Sequence, residues 1–327
     1  MTNANAIERY REMFNSHLES KLVPKEPYNL YTPISYILEF GGKRMRPVLT
    51  LLTTELFGGN PAQALDAALA IEVFHNFSLV HDDIMDDAPL RRGKATVHEK
   101  WDINTGILSG DAMLINAYQY LEDYPPEVFK ALAVLFSKTA VEVCEGQQYD
   151  VDFETRDDVT IPEYLKMIEY KTAVLVACAM KMGAILAGAS EQDAQSIYQF
   201  GQNLGIAFQL QDDYLDAFGD PKTFGKQVGG DIIANKKTFL YLKALEFAPK
   251  EDKEGLMHLF SIQPKDSEAK VHTVKTIFKE SGAVEEARKE IESYTQKAFD
   301  TLGSLNIPEK NKELLRAFGN NLMQRTV

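Results

Sequence analysis

Helical periodicity runs the length of this 327-residue chain. Apolar positions recur three and four residues apart in IERYREMFNSHLESKL, RPVLTLLTTELFG and PAQALDAALAIEVFHNFSLVHDDIMDD. The same spacing returns in INTGILSGDAMLINAYQYLEDY, PEVFKALAVLFSKTAVEVCEGQQYDV, IPEYLKMIEYKTAVLVACAMKMGAILAG and SEQDAQSIYQFGQNLGIAFQLQDDYLDAFG. About three or four more helices are predicted in the C-terminal third, and no segment alternates as a strand over more than a few residues. Pro47 suits a first helical turn, Gly58 a helix C-terminus, and Pro61 restarts a helix that ends near Pro89. Several helices are roughly 20 residues or longer and apolar around much of their circumference, as expected inside a large bundle. The pattern predicts an all-α fold.

Two acidic clusters interrupt this apolar periodicity, about 130 residues apart: Asp82, Asp83, Asp86 and Asp87 in HDDIMDD, and Asp212, Asp213 and Asp216 in QDDYLD. A spacing of i, i+4 stacks Asp82 over Asp86 on one helix face and Asp212 over Asp216 on another. Like charges stacked this way destabilise an isolated helix, so the pattern implies a cation held between carboxylates. Oxygen-only ligands select a hard cation, Mg²⁺ or Ca²⁺, over zinc or copper. Because both acidic helices must face that cation, the chain is expected to form one domain, residues 1–327.

The longest polar breaks, residues 87–103 and 219–237, each follow an aspartate cluster, and each is basic: LRRGK ends at Lys94, and FGK at Lys226. A third basic group stands earlier, at Gly41, Gly42, Lys43, Arg44 and Arg46. Arginine forks onto phosphate and lysine acts as a point charge, while glycine lets backbone N–H groups approach an anion. Carboxylates, a hard cation and nearby Arg/Lys together suggest diphosphate binding, since Mg²⁺ is usually held by one or two carboxylates plus substrate phosphate oxygens.

Bulk properties bound the reading. A hydrophobic fraction of 45% suits a globular protein with a sizeable core. A net charge of −13 argues against a nucleic-acid partner. Cys144 and Cys178 lack metal-site spacing and are expected to be buried structural thiols. The N-terminus has no apolar leader and no stretch approaches a membrane span, so a soluble cytoplasmic protein without stable membrane insertion is expected.

Taken in order, GGKRMRP, HNFSLVHDDIMDDAPLRRG, the EYKTA run and FQLQDDYLD resemble the trans-isoprenyl diphosphate synthases, or polyprenyl synthetases, over nearly the whole chain. These head-to-tail prenyltransferases make farnesyl, geranylgeranyl and longer diphosphates. The resemblance implies an all-α helical bundle around a central active-site cavity, usually in a homodimer, with small-molecule diphosphates as substrates and about three Mg²⁺ ions per site. It assigns Asp82, Asp86 and Asp212 to Mg²⁺, with Asp83, Asp213 and Asp216 as supporting carboxylates. Arg91, Lys171, Lys226 and Lys236 would hold the allylic diphosphate, although NKKT offers Lys237 as a rival to Lys236. Gly42, Lys43, Arg46, His75 and Arg92 would hold isopentenyl diphosphate. Thr172 and Gln209 would face the developing allylic cation. The C-terminal Arg325 matches a basic tail that can help close the site, or frays.

Product length is read from the first acidic helix. Ser78 lies one turn below Asp82, roughly 6 Å away, and Phe74 one turn further, roughly 12 Å down. Phe77 is five residues before Asp82, where the resembled family places the residue that limits chain growth. Ser78 leaves room that a second aromatic would close, so a short product is expected, C20 ahead of C15. The alternatives are a longer-chain synthase of C30 or more, and a noncatalytic regulatory subunit. A terpene cyclase would replace the second aspartate cluster, and a di-iron bundle would need Glu-x-x-His pairs, which are absent near these clusters.

Overall fold

The computed structural model describes residues 3–220, 228–264 and 266–323, with side chains from residue 7. It divides into two compact units. The first takes the chain up to Ser137 together with Cys178–Gln195, and the second Lys138–Ala177 together with the chain from Ser196 onward. Among the described residues both are all-α, apart from one short hairpin in the first.

In chain order the helices are α1 (Asn3–Lys21), α2 (Tyr28–Leu38), α3 (Met45–Leu56), α4 (Leu65–Met85), α5 (Val97–Lys100), α6 (Ile103–Gln119), α7 (Pro126–Thr155), α8 (Ile161–Ile168), α9 (Val174–Leu186) and α10 (Glu191–Phe218). Further helices follow, Gly230–Ile233, Phe239–Phe247, Lys250–Leu259, Glu268–Glu280, Ala283–Thr301 and Glu309–Met323. Local chemistry accounts for several boundaries. Gly58 adopts φ +86° just past α3, where a side chain would be strained. A tight turn, Pro61–Ala64, leads into α4 and is capped by the Asn60 side chain, which accepts from the Ala62 N–H. A reciprocal Thr160–Glu163 capping box opens α8.

In the first unit α4 is the central helix. Ala67 through Ile71, Val73, Phe74, Phe77 and Val80 are all buried, so its apolar surface wraps most of the way round. Gly183 of α9 lets that helix approach α3 so closely that a Cβ would strike the Thr50 carbonyl. In the second unit Tyr164, Ile168, Leu210, Tyr214, Phe239, Tyr241 and Phe278 belong to one buried cluster. Cys178 is buried as expected, but Cys144 is exposed, because it lies on a solvent-facing side of α7 that the spacing alone does not identify. Among the described residues no helix is long and apolar enough to cross a membrane.

Candidate active site

In the first unit, Asp82 and Asp83 occupy the last turn of α4 and Asp86 is its C-cap, with the Asp86 N–H donating to the Asp82 carbonyl at 2.9 Å. The i, i+4 stack read from the sequence is therefore intact. It stands at the end of the helix where the backbone dipole is itself negative, which adds to the like-charge penalty and strengthens the case for a bound cation. Asp82 is half-buried and Asp86 exposed, whereas Asp83 is buried. Asp83, assigned as a supporting carboxylate, meets a cation of the chain itself. Its two oxygens accept from Arg91 Nε at 2.8 and 2.9 Å, and Arg91 Nη2 lies 2.7 Å from Oδ1. Burial raises the Asp83 pKa while Arg91 opposes the rise. Asp83 thus orients Arg91, whose Nη2 also lies 3.5 Å from Asp82 Oδ2.

Arg91 is delivered by a short hairpin, β1 (Leu90–Arg91) and β2 (Lys94–Ala95). Arg92 and Gly93 form its two-residue turn with φ +53° and +76°, both in the left-handed region that such a turn requires. Arg92 Nη1 donates to the Gly41 carbonyl. A Cβ on Gly42 would come within 2.6 Å of that same nitrogen, so glycine is required at position 42 for the arginine to lie there.

The basic group assigned to a second diphosphate is brought together in this unit. Arg46 Nη1 donates to His75 Nε2 at 3.1 Å. Burial and the neighbouring Arg46, Arg92, Arg91 and Arg44 hold His75 well below the ordinary histidine range, so it is neutral and can accept that hydrogen bond. The Nε of Arg46 is buried without a hydrogen-bond partner, which fits a cation awaiting an anion. Arg44 differs: it is buried and paired with Glu72 at 2.5 Å. Lys43 is exposed.

Below Asp82, Phe74 is fully buried and Phe77 nearly so, their ring centroids 5.4 Å apart. Phe74 packs on Phe136 at 5.2 Å and Phe77 on His81 at 4.9 Å. The Ser78 hydroxyl donates to the His75 carbonyl at 2.8 Å and folds back along its own helix.

The second unit carries the other cluster in the last two turns of α10, again at a helix C-terminus. Asp212 is half-buried, and Asp216 Oδ2 accepts from the Asp231 N–H at 3.0 Å. Asp213 is buried, and among the described residues no cation pairs with it as Arg91 pairs with Asp83. Its Oδ1 accepts from Gln209 Nε2 at 2.8 Å and its Oδ2 from the Tyr164 hydroxyl. Burial and the charges of Asp231 and Asp212 push Asp213 up to about 8, against the pull of those two hydrogen bonds. The Thr172 hydroxyl donates to Gln209 Oε1 at 3.0 Å, so the two residues assigned to the allylic cation touch each other.

Thr172 sits in a π turn, Glu169–Ala173, between α8 and α9. Such a bulge loosens the helical ladder locally and is frequent at functional sites. Two glycines make room for it: a Cβ on Gly146 would collide with the Lys171 backbone nitrogen, and one on Gly205 would lie 2.7 Å from Ala173 Cα. Lys171 Nζ pairs with Asp150 Oδ2 at 2.5 Å, and Lys236 Nζ lies 3.7 Å from the same oxygen. Burial resists ionisation of Asp150, but Lys171 and Lys236 outweigh it and lower its pKa. Lys237, the rival lysine, is buried on the Arg156 carbonyl and Asp157 instead. Lys226 and Arg325 lie outside the described residues.

Sequence reasoning missed Asp150, Tyr164, Glu72, Gly146 and Gly205. A signal existed for Asp150, an acidic residue one turn after Gly146 in the run GQQYD of a helix already predicted. Tyr164 carried no distinguishing pattern.

Residues 27–278 match the polyprenyl synthetase family. The chain belongs to that family. Among polyprenyl synthetase relatives, it is 40% identical to the short chain isoprenyl diphosphate synthase of Methanothermobacter thermautotrophicus over 86% of each chain. It is 38% identical to the geranylgeranyl diphosphate synthase of Methanosarcina mazei over 95% of this chain and 94% of that one. A solved geranylgeranyl pyrophosphate synthase, 54% identical, superposes with a TM-score of 0.94 over 98% of this chain and 99% of that one. A family member from Corynebacterium glutamicum, a geranylgeranyl pyrophosphate synthase 26% identical with a TM-score of 0.84 over 99% of this chain and 98% of that one, was crystallised with isoprenyl diphosphate and magnesium.

Proposed function

We propose that this chain is a short-chain trans-prenyltransferase that condenses isopentenyl diphosphate with allylic diphosphates to give mainly the C20 product. The observation that carries the reading is the pair of like-charged stacks, Asp82/Asp86 and Asp212/Asp216, each at a dipole-disfavoured helix end. The all-oxygen donor set and the exposure of Asp86 fit Mg²⁺ rather than a softer metal. Asp82, Asp86 and Asp212 would hold it, about three ions in all, and when bound it neutralises the charge of a departing diphosphate.

The chain's own residues account for the remaining steps. Arg91, oriented by Asp83, and Lys171 and Lys236, gathered by Asp150, hold the allylic diphosphate, together with Lys226. As the allylic C–O bond breaks, its electrons leave with the diphosphate, which these cations stabilise. The Thr172 and Gln209 oxygens face the resulting carbocation without trapping it. Gly42, Lys43, Arg46, His75 and Arg92 hold isopentenyl diphosphate, whose alkene electrons form the new C–C bond. The proton then lost goes to the released diphosphate, because the assigned residues include no dedicated base.

Phe77 supports the short product, with the names of the relatives. Product chromatography of the purified protein with isopentenyl and allylic diphosphates tests this. C20 is expected, and a main product of C30 or longer overturns it. Phe77→Ala should lengthen the product by removing part of the floor; an unchanged product would make Phe77 a packing residue only. The protein would act as one catalytic domain in a cytoplasmic homodimer. The exposed Ile103, Ile107, Leu108 and Ile115, within about 140° of arc on α6, support a covered face there.

A further inference from the structure

We infer that Tyr164 and Asp213 are positioning residues that hold the Gln209 amide with its oxygen, not its nitrogen, toward Thr172 and the allylic cation; this rests on the prenyltransfer reading above. The two ends of a glutamine amide are nearly the same size and opposite in electrostatic character. Which end faces a developing cation therefore depends on the partners at the other end. Here the partner is Asp213, one turn further along α10, whose Oδ1 accepts from Gln209 Nε2 at 2.8 Å. Because Oδ1 is the accepting oxygen there, it selects the NH₂ end.

The consequence reaches Thr172. With Oε1 turned toward it, the Thr172 hydroxyl spends its one hydrogen on Gln209 at 3.0 Å and keeps its lone pairs for a positive centre. A reversed amide would place two N–H hydrogens on that side and free the Thr172 hydrogen to point elsewhere. Both changes put positive charge beside a carbocation.

Asp213 is in turn held by Tyr164. The Tyr164 hydroxyl donates to Oδ2, leaving Oδ1 for Gln209. The tyrosine is 1% exposed, belongs to the second unit's buried cluster and stands 6.2 Å from the Phe239 ring, so its position is set by packing. Tyr164 thus ties the buried core of this unit, through Asp213 and Gln209, to the hydroxyl of Thr172 in the π turn.

A double-mutant cycle tests the inference. Tyr164→Phe removes the hydroxyl and Asp213→Leu removes the acceptor while keeping the branching of the side chain, and thermal melts report whether each variant folds. In the wild-type background each should lower the single-turnover rate with an allylic diphosphate about tenfold, the rate equivalent of one ordinary hydrogen bond. The KM for isopentenyl diphosphate should stay within about twofold of wild type, because its assigned anchors lie elsewhere. In a Gln209→Ala background neither substitution has an amide left to orient, so each effect should shrink below about twofold. Equal slowing in both backgrounds overturns the inference and makes the two residues structural. A wild-type chain that forms no prenyl product overturns the prenyltransfer reading and this one with it. An active wild type with additive effects overturns this one alone.

Discussion

The two aspartate clusters share a sequence pattern and a helix position, yet they handle their middle carboxylate in opposite ways. In the first unit Asp83 is buried against Arg91 and compensated by a full positive charge. In the second Asp213 is also buried but accepts, among the described residues, from the neutral donors Tyr164 and Gln209, with Asp231 and Asp212 beside it, and it rises to about 8. The same residue in the same motif therefore serves two ends. Asp83 aims a cation, and Asp213 fixes the polarity of an amide. The flanking carboxylates behave alike in both clusters, since Asp82 and Asp212 are both half-buried and each stands in the last two turns of its helix.

The comparison can be broken or sharpened by substitution. The largest effect should come from the flanking positions: Asp82→Asn and Asp212→Asn should each lower kcat by ~10²-fold or more, and chelation of divalent cations should stop turnover. If steady-state kinetics show one loss without the other, the clusters are not equivalent. Next come the middle positions. Asp83→Asn leaves the half-buried Arg91 with Asp82 as its remaining neighbouring carboxylate and should cost about 2 kcal/mol in urea unfolding. Asp213→Asn strands no cation and should cost about 1 kcal/mol or less. Equal losses would erase the contrast drawn above.

Gly146→Ala probes the second unit alone. A methyl there meets the Lys171 backbone, so about 1–3 kcal/mol should be lost, with activity falling as the π turn shifts. A variant with wild-type stability and rate would show that the turn can yield. The smallest effect concerns His75 in the first unit. Its folded pKa lies well below the ordinary value of about 6.5, so as pH falls from about 7.5 the unfolded chain binds a proton that the folded one refuses. Stability should therefore decline toward about pH 5.5, and His75→Gln should flatten part of that slope, by about 1 kcal/mol, in urea titrations at the two pH values.

Much of this was legible from the chain. Periodicity of 3.6 gave the helices, and i, i+4 spacing gave both carboxylate stacks, because these relations are local and the backbone repeats them faithfully. The cationic loops could be ordered along the chain for the same reason, and Arg46, His75 and Arg92 do gather as the motifs imply. What local pattern could not supply was the choice among equivalent neighbours. Lys236 and Lys237 are adjacent in sequence, yet one lies by Asp150 and the other is buried on the Arg156 carbonyl. Asp83 and Asp213 occupy matching places, yet one meets arginine and the other tyrosine. The sequence by itself determined which groups are charged and how they repeat along each helix. Only the tertiary structure decided which partner each meets and at what burial, because those contacts join residues far apart in the chain and burial sets the cost of every charge left uncompensated.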